Sequence, residues 1–192
     1  MAIEIHVWKL AGITPLVSHN PAQTMNSGGD AGITAGKKTY DDDEEARIRL
    51  YVNDDGTYYH PAVAIRLALM EAGKNRKIGK RGAKQTVAGA VFPAEDRVTI
   101  LDDKGKPKKK YVVRKCRVKV GKAGVLRCRP QWDNWTMQVP LEIDTDFIHL
   151  DMVTELLNIA GRIAGIGDER PSVENNKNGV GSCGRFTAEF VK

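Results

Sequence analysis

Along residues 2–10, AIEIHVWKL, the chain alternates, with Ile3, Ile5 and Val7 set against Glu4, His6 and Trp8. Successive side chains of a strand point to opposite faces, so this spacing predicts a half-buried strand with Trp8 on its more polar side. A polar, aperiodic stretch follows over 20–38, NPAQTMNSGGDAGITAGKK, and reads as a long mobile loop at about 18–40. Residues 41–50, DDDEEARIRL, carry carboxylates first and arginines later, the charge order that suits a short helix and its dipole. YVNDDGTYY predicts a hairpin around Asp54, Asp55 and Gly56.

Pro61 and Gly73 bracket a helix over PAVAIRLALMEAG, with Ile65, Leu69 and Ala72 on one face. Residues 86–101 read as one or two strands broken near Pro93, and DDKGKPKKK as a turn. YVVRKCRVKV alternates. Val112, Cys116, Val118 and Val120 share a side on which Arg114 is the exception, and Tyr111, Val113, Lys115, Arg117 and Lys119 take the other. In WTMQVPLEID, Trp135, Met137, Val139, Leu141 and Ile143 form a core face. A second helix is predicted over 150–164, then a glycine-rich loop and a last strand in GRFTAEFVK.

The order strand, helix, two or more strands, helix, strand is that of an α+β, ferredoxin-like (RRM-type) β-α-β-β-α-β sheet with two helices. At 192 residues a single domain is expected, with the loop insertion at about 18–40 and a basic insertion at about 74–130. The helices of such a fold cover one sheet face, and in RNA-binding members the free face stacks bases.

Charge changes the picture most. Residues 74–130 hold 19 Lys and Arg against 4 Asp and Glu, whereas the rest of the chain holds 11 against 20. Segregated charge of this kind draws polyanions to one region. The densest run is KNRKIGKRGAK, where Lys74, Arg76, Lys77, Lys80, Arg81 and Lys84 fall within eleven residues. The expectation is that these cations stand side by side and form a trough for a sugar–phosphate strand. Composition (41% apolar, 28% charged) is that of a globular protein, and no apolar run approaches a membrane span. MAIEIHVWKL lacks the cationic start and apolar run of a signal peptide, so a cytoplasmic location is expected. Cys116, Cys128 and Cys183 have no C-x-x-C spacing and read as reduced structural thiols. Among His6, His19, His60 and His149 no pair has metal-ligand spacing. Neither a metal nor a cofactor is implied.

Three further stretches belong together: GITPLVSH (12–19), YHPAVAIRLALMEAG (59–73) and GRIAGIGDERP…GSCGRF (161–186). Together they resemble the RAMP superfamily, the RRM-fold backbone subunits of CRISPR effector complexes, and more closely a group of small phage and prophage proteins of that type. In the helix opening, Ala62, Val63 and Ala64 replace that family's hydroxyl residues, and Leu67 stands where it has a glycine. The resemblance implies sequence-independent binding of single-stranded nucleic acid by a row of subunits, in the cytoplasm of a bacterial host if phage-encoded.

The candidate contacts to nucleic acid are Lys74, Arg76, Lys77, Lys80, Arg81, Lys84, Lys108, Lys109, Lys110, Lys115, Arg117, Lys119, Arg127, Arg129, Arg170 and Arg185, with Tyr111 and Trp132 as stacking platforms. The expected partners are a single strand of DNA or RNA and further copies of the chain. Two other readings stay open. One is an interaction protein whose basic surface meets an acidic partner. The other is a metal-independent endoribonuclease using His60.

Overall fold

The computed structural model describes residues 3–21, 41–120, 123–171 and 181–191, with the side chains of 117–120 and 123–125 outside that description. The strands are β1 (Ile3–Gly12), β2 (Leu16–Val17), β3 (Tyr59–Pro61), β4 (Lys77–Ile78), β5 (Arg81–Gly82), β6 (Val91–Pro93), β7 (Arg97–Thr99), β8 (Val112–Val120), β9 (Ala123–Trp132), β10 (Thr136–Asp144) and β11 (Phe186–Phe190). The helices are α1 (Asp42–Arg47), α2 (Ala62–Ala72), α3 (Ala83–Ala90) and α4 (Leu150–Ile163).

The main sheet has the order β11-β1-β10-β6, with antiparallel neighbours throughout. A β-α-β-β-α-β chain gives this order because each helical crossover must skip one strand. Here α2 lies between β1 and β6, and α4 between β10 and β11. The α+β fold class is therefore as the element order predicts. The short helix expected over 41–50 is α1, and the structure adds α3 and three small sheets: β2-β9-β8, β3-β7 and β4-β5. Residues 86–90, expected to be extended, are the second part of helix α3. Alanines and a glycine dominate this stretch, and Ala83, Val87 and Ala90 fall on the buried side at helical spacing.

One side of the sheet and one side of each long helix make the core. Trp8, Leu10, Met137, Val139, Leu141 and Ile143 face Val153, Leu156 and Leu157 of α4 and Ile65 and Leu69 of α2. Each large side chain so buried contributes about 1.5–3 kcal/mol. Trp8 also donates its indole N–H to Thr154 Oγ1 at 2.8 Å, so α4 covers this strand. The helix-covered face of the first strand is the Trp8 side: Ile3 and Ile5 are 55% and 63% exposed, and Trp8 is fully buried. Apolar residues occupy both faces of β1, and alternation alone does not say which face a helix will cover.

Gly161 lets α4 and β11 touch. A Cβ there would stand 1.9 Å from the Phe186 carbonyl oxygen.

Candidate nucleic-acid interface

The basic run KNRKIGKRGAK forms a hairpin. Helix α2 stops at Gly73, Lys74 folds back onto Glu71 at 2.7 Å, and the chain pairs Lys77 with Gly82 and Ile78 with Arg81. Gly79, the first of the two central turn residues, has φ +58°, which glycine adopts at little cost. The hairpin runs straight into α3. Its N-cap is Gly82, which has no side chain to cap with, and its first turn carries no acid. The positive end of α3 and the hairpin's cations therefore add. Arg76 pairs with Glu155 of α4 at 2.5 Å, and the Arg81 guanidinium lies 5.3 Å from the ring centre of Phe147, which is 48% exposed. Lys77, Lys80, Arg81 and Lys84 are exposed, and among the described residues none has a carboxylate within ion-pairing distance.

The β8-β9 ribbon differs. Its cations are matched by acids from two sides. From α1, Asp42 pairs with Lys115, and Glu45 reaches Arg127 at 3.5 Å and Arg49 at 3.2 Å. Glu45 also accepts the Cys128 N–H at 3.0 Å. From the segment after α4, Asp168 meets Arg129 at 2.7 Å and Glu169 meets Arg114 at 2.8 Å. Glu169 is held below the usual carboxylate range: burial opposes this, and Cys116 and Arg114 outweigh it. Lys115, Arg127 and Arg129 are thus part of the fold's internal ion pairing. Val112, expected inward, is 55% exposed, because the ribbon packs through these polar contacts rather than through an apolar face. The Arg117 and Lys119 side chains lie outside the described residues.

The remaining candidates scatter. Lys108 donates to the Asp133 carbonyl at 2.8 Å, and Lys109 and Lys110 are exposed beside it in sequence. This group lies at the Thr136 end of β10, whereas Phe147 and the hairpin lie at the Asp144 end. At about 3.3 Å per residue those ends are roughly 25 Å apart. The basic segment therefore forms no single trough.

Trp132 is 1% exposed, and its ring packs 5.4 Å from Tyr58 and 6.4 Å from Tyr111. It is a core residue, with no face free for a base. Tyr111 is half-buried in the same aromatic group. Arg170 is exposed, and Arg185 opens β11 with its backbone carbonyl accepting the Ile13 N–H at 2.8 Å.

The glycine-rich segment closes on the protein itself. A Cβ on Gly184 (φ +68°) would lie 1.7 Å from the Ile166 carbonyl oxygen, and one on Gly167 would lie 2.5 Å from that of Val17. Asp168 N–H donates to Val17 O at 2.8 Å, so the first and third of the stretches quoted for the RAMP resemblance meet in space.

His60 is 4% exposed and, among the described residues, neither ring nitrogen has a hydrogen-bond partner; burial, with Arg170 nearby, lowers its pKa to about 4. Burial also pushes the Cys116 thiol to about 11 and, with Asp42, the Cys128 thiol to about 12. Phe147, the aromatic beside the hairpin, carried no signal in sequence: it sits alone in DTDFIH, well beyond the basic segment.

No helix among the described residues is long and apolar enough to cross a membrane. No protein-family model and no curated protein matches the sequence. Among solved structures that match is the crystal structure of Cmr6 from Pyrococcus furiosus, with 11% identity and a TM-score of 0.38 over 98% of this chain and 100% of that one, a similarity too distant to bear on residues or roles.

Proposed function

We propose that the protein binds single-stranded nucleic acid without catalysis and with little sequence preference, as an oligomer, through the β4-β5 hairpin. The observation that carries this is the cluster of Lys77, Lys80, Arg81 and Lys84, exposed and without acidic partners, beside the uncapped start of α3 and the exposed Phe147 ring. Cations release counterions from phosphates, and an aromatic paired with arginine offers a stacking surface to an unpaired base. The free sheet face is a poor alternative. Beside Lys9 and Phe92, whose ring lies 4.3 Å from the Arg66 guanidinium, it presents Ile3, Ile5 and the carboxylates Glu142, Asp144 and Glu189. The burial of His60 supports the non-enzymatic reading, because a ring out of solvent's reach is badly placed to move a substrate's proton. A phage origin rests on the sequence resemblance alone.

Fluorescence anisotropy with labelled single- and double-stranded oligonucleotides tests the proposal. Four phosphate contacts give a salt slope of about −3 on a log–log plot, or about 50-fold weaker binding between 50 and 200 mM salt. Reversing the charge of Lys77, Lys80, Arg81 and Lys84 together is expected to abolish binding while the circular dichroism spectrum stays unchanged. No binding by the unmodified chain at low salt would end this reading. Binding instead to an acidic protein, with none to oligonucleotides, would favour the second use of the same cations.

A further inference from the structure

The edge of a sheet carries backbone N–H and C=O groups that need partners, and this fold answers several of them with side chains. On β11, Asn158 of α4 donates its side-chain N–H to the Ala188 carbonyl at 2.9 Å and accepts the Ala188 N–H at 3.0 Å. On β6, the Arg66 guanidinium donates to the Val91 carbonyl at 2.9 Å. On β9, the edge away from β8 meets β2 and then Glu45, which accepts the Cys128 N–H.

The edge of β8 away from β9 is different. In the order β2-β9-β8 this strand is terminal over all nine of its residues. Residues of an antiparallel strand alternate between bonding to the neighbour and turning their backbone groups outward. Pro130 and Cys128 fix the phase. Pro130 has no N–H, and its carbonyl accepts the Ser18 N–H at 3.0 Å; the Cys128 N–H goes to Glu45. Both turn away from β8, so the pairs Val113–Pro130 and Lys115–Cys128 exchange no backbone bonds. Val113 and Lys115 therefore direct their N–H and C=O to the open edge, and Arg117 continues the phase. Among the described residues no group hydrogen-bonds to the Val113 or Lys115 backbone there.

We infer that the open edge of β8 receives an extended acidic segment of another protein as an added strand. The inference concerns a different surface from the β4-β5 hairpin and stands independently of the proposed function.

The chemistry of the edge selects a polypeptide. It offers donors and acceptors in alternation, and an extended peptide supplies both in return. A phosphodiester backbone supplies acceptors only and leaves every outward carbonyl unpaired. Charge then selects among peptides. Val112–Val120 holds Arg114, Lys115, Arg117 and Lys119 and no acid. Glu169 and Asp42 meet Arg114 and Lys115, so the strand keeps a positive excess. Like charges directly opposite destabilise a strand pair and opposite charges stabilise it. A second β8 is therefore a poor partner and an acidic strand a good one. Lysines on an edge guard it against unselected pairing. Here the same cations that turn away a like-charged strand admit an acidic one. The nine residues reach about 30 Å, longer than the usual strand, so the ladder has room for several outward pairs.

The probe is a labelled peptide of alternating Val and Glu, about ten residues long to match β8. Anisotropy with the full chain is expected to show saturable binding, and amide exchange at Val113 and Lys115 is expected to slow on adding the peptide. The same peptide with Lys in place of Glu should bind at least ~10-fold more weakly. Proline is tolerated on an edge where its missing N–H faces outward, so Lys115→Pro should keep the circular dichroism spectrum. It should bind the peptide at least ~10-fold more weakly than Lys115→Ala, which loses the same charge but keeps the N–H. Should the proline variant fail to fold, N-methylated peptides test the ladder on the unmodified protein. Methylating one alternate set of peptide nitrogens is expected to abolish binding, and methylating the other set to spare it. Absence of peptide binding overturns the inference. So does binding that leaves exchange at Val113 and Lys115 unchanged, or binding that survives both methylations. Reversing the charge of Lys77, Lys80, Arg81 and Lys84 separates the two surfaces. Peptide binding that persists in that variant supports the β8 edge, whatever the oligonucleotide result, and peptide binding lost with it places the peptide on the hairpin and ends the inference.

Discussion

At the scale of single residues, His60 shows how burial overrides residue type. The same imidazole reads in sequence as a possible base, since His60 follows Tyr58 and Tyr59. In the fold it is packed in β3 against Tyr51, with its pKa lowered to about 4. The consequence is a stability that depends on pH. The unfolded chain takes up a proton near pH 6.5, and the folded chain does so only near 4. Stability associated with this group is therefore full above about 6.5 and is lost as pH falls toward 4. The total is about 3 kcal/mol, from ~1.4 kcal/mol per unit. Urea denaturation between pH 7 and 4.5 should show this slope, and His60→Phe should flatten it. An unchanged slope in the variant would place the titrating group elsewhere.

At the scale of elements, the internal ion pairs divide by burial. Glu45 in α1 is 9% exposed and serves Arg49, Arg127 and the Cys128 N–H, so it ties α1 to β9. Removing one member of such a buried set leaves the others poorly solvated, and Glu45→Ala is expected to cost about 3–5 kcal/mol. Asp42 joins Lys115 at the rim, where both side chains keep a third or more of their exposure, so Asp42→Asn should cost far less than Glu45→Ala. Chemical denaturation of the two variants checks the contrast, and equal costs would contradict it. The same elements show what a sequence can reveal. The helices α2 and α4 and the core face of β10 were legible because their periodicity is strong and continuous. Helix α3 was not, because AKQTVAGA has few large side chains to mark a period. The covered face of β1 was not, because Ile3 and Ile5 compete with Trp8 and Leu10 as apolar signals. Which cations stay free was illegible as well. Asp42, Glu45, Asp168 and Glu169 are distant in sequence from the arginines and lysines they meet, and only the fold brings them together.

At the scale of the whole molecule, segregation along the chain does not become segregation in space. The formal net charge is +6. Asp42 and Glu45 of α1 and Asp168 and Glu169 meet the cations of the β8-β9 ribbon, and among the described residues two dense groups of exposed cations remain apart from it. One is the hairpin at the Asp144 end of β10. The other is Lys108, Lys109 and Lys110 at the Thr136 end, where Lys108 donates to the Asp133 carbonyl and Lys109 lies near the Asp55 carboxylate. A strand held mainly by counterion release feels local cation density, with a reach set by the Debye length of about 8–10 Å at ordinary ionic strength. Over the roughly 25 Å between the two ends of β10, the groups act independently. Charge reversal of Lys108, Lys109 and Lys110 is therefore expected to change affinity for a short single-stranded oligonucleotide by less than about 3-fold, and to leave the salt slope near −3. The equivalent change in the hairpin removes binding altogether. A longer oligonucleotide separates local from continuous contact. If its affinity falls with the Lys108 group reversed while that of the short probe does not, the strand crosses the molecule from one end of β10 to the other. If neither changes, the hairpin alone holds it.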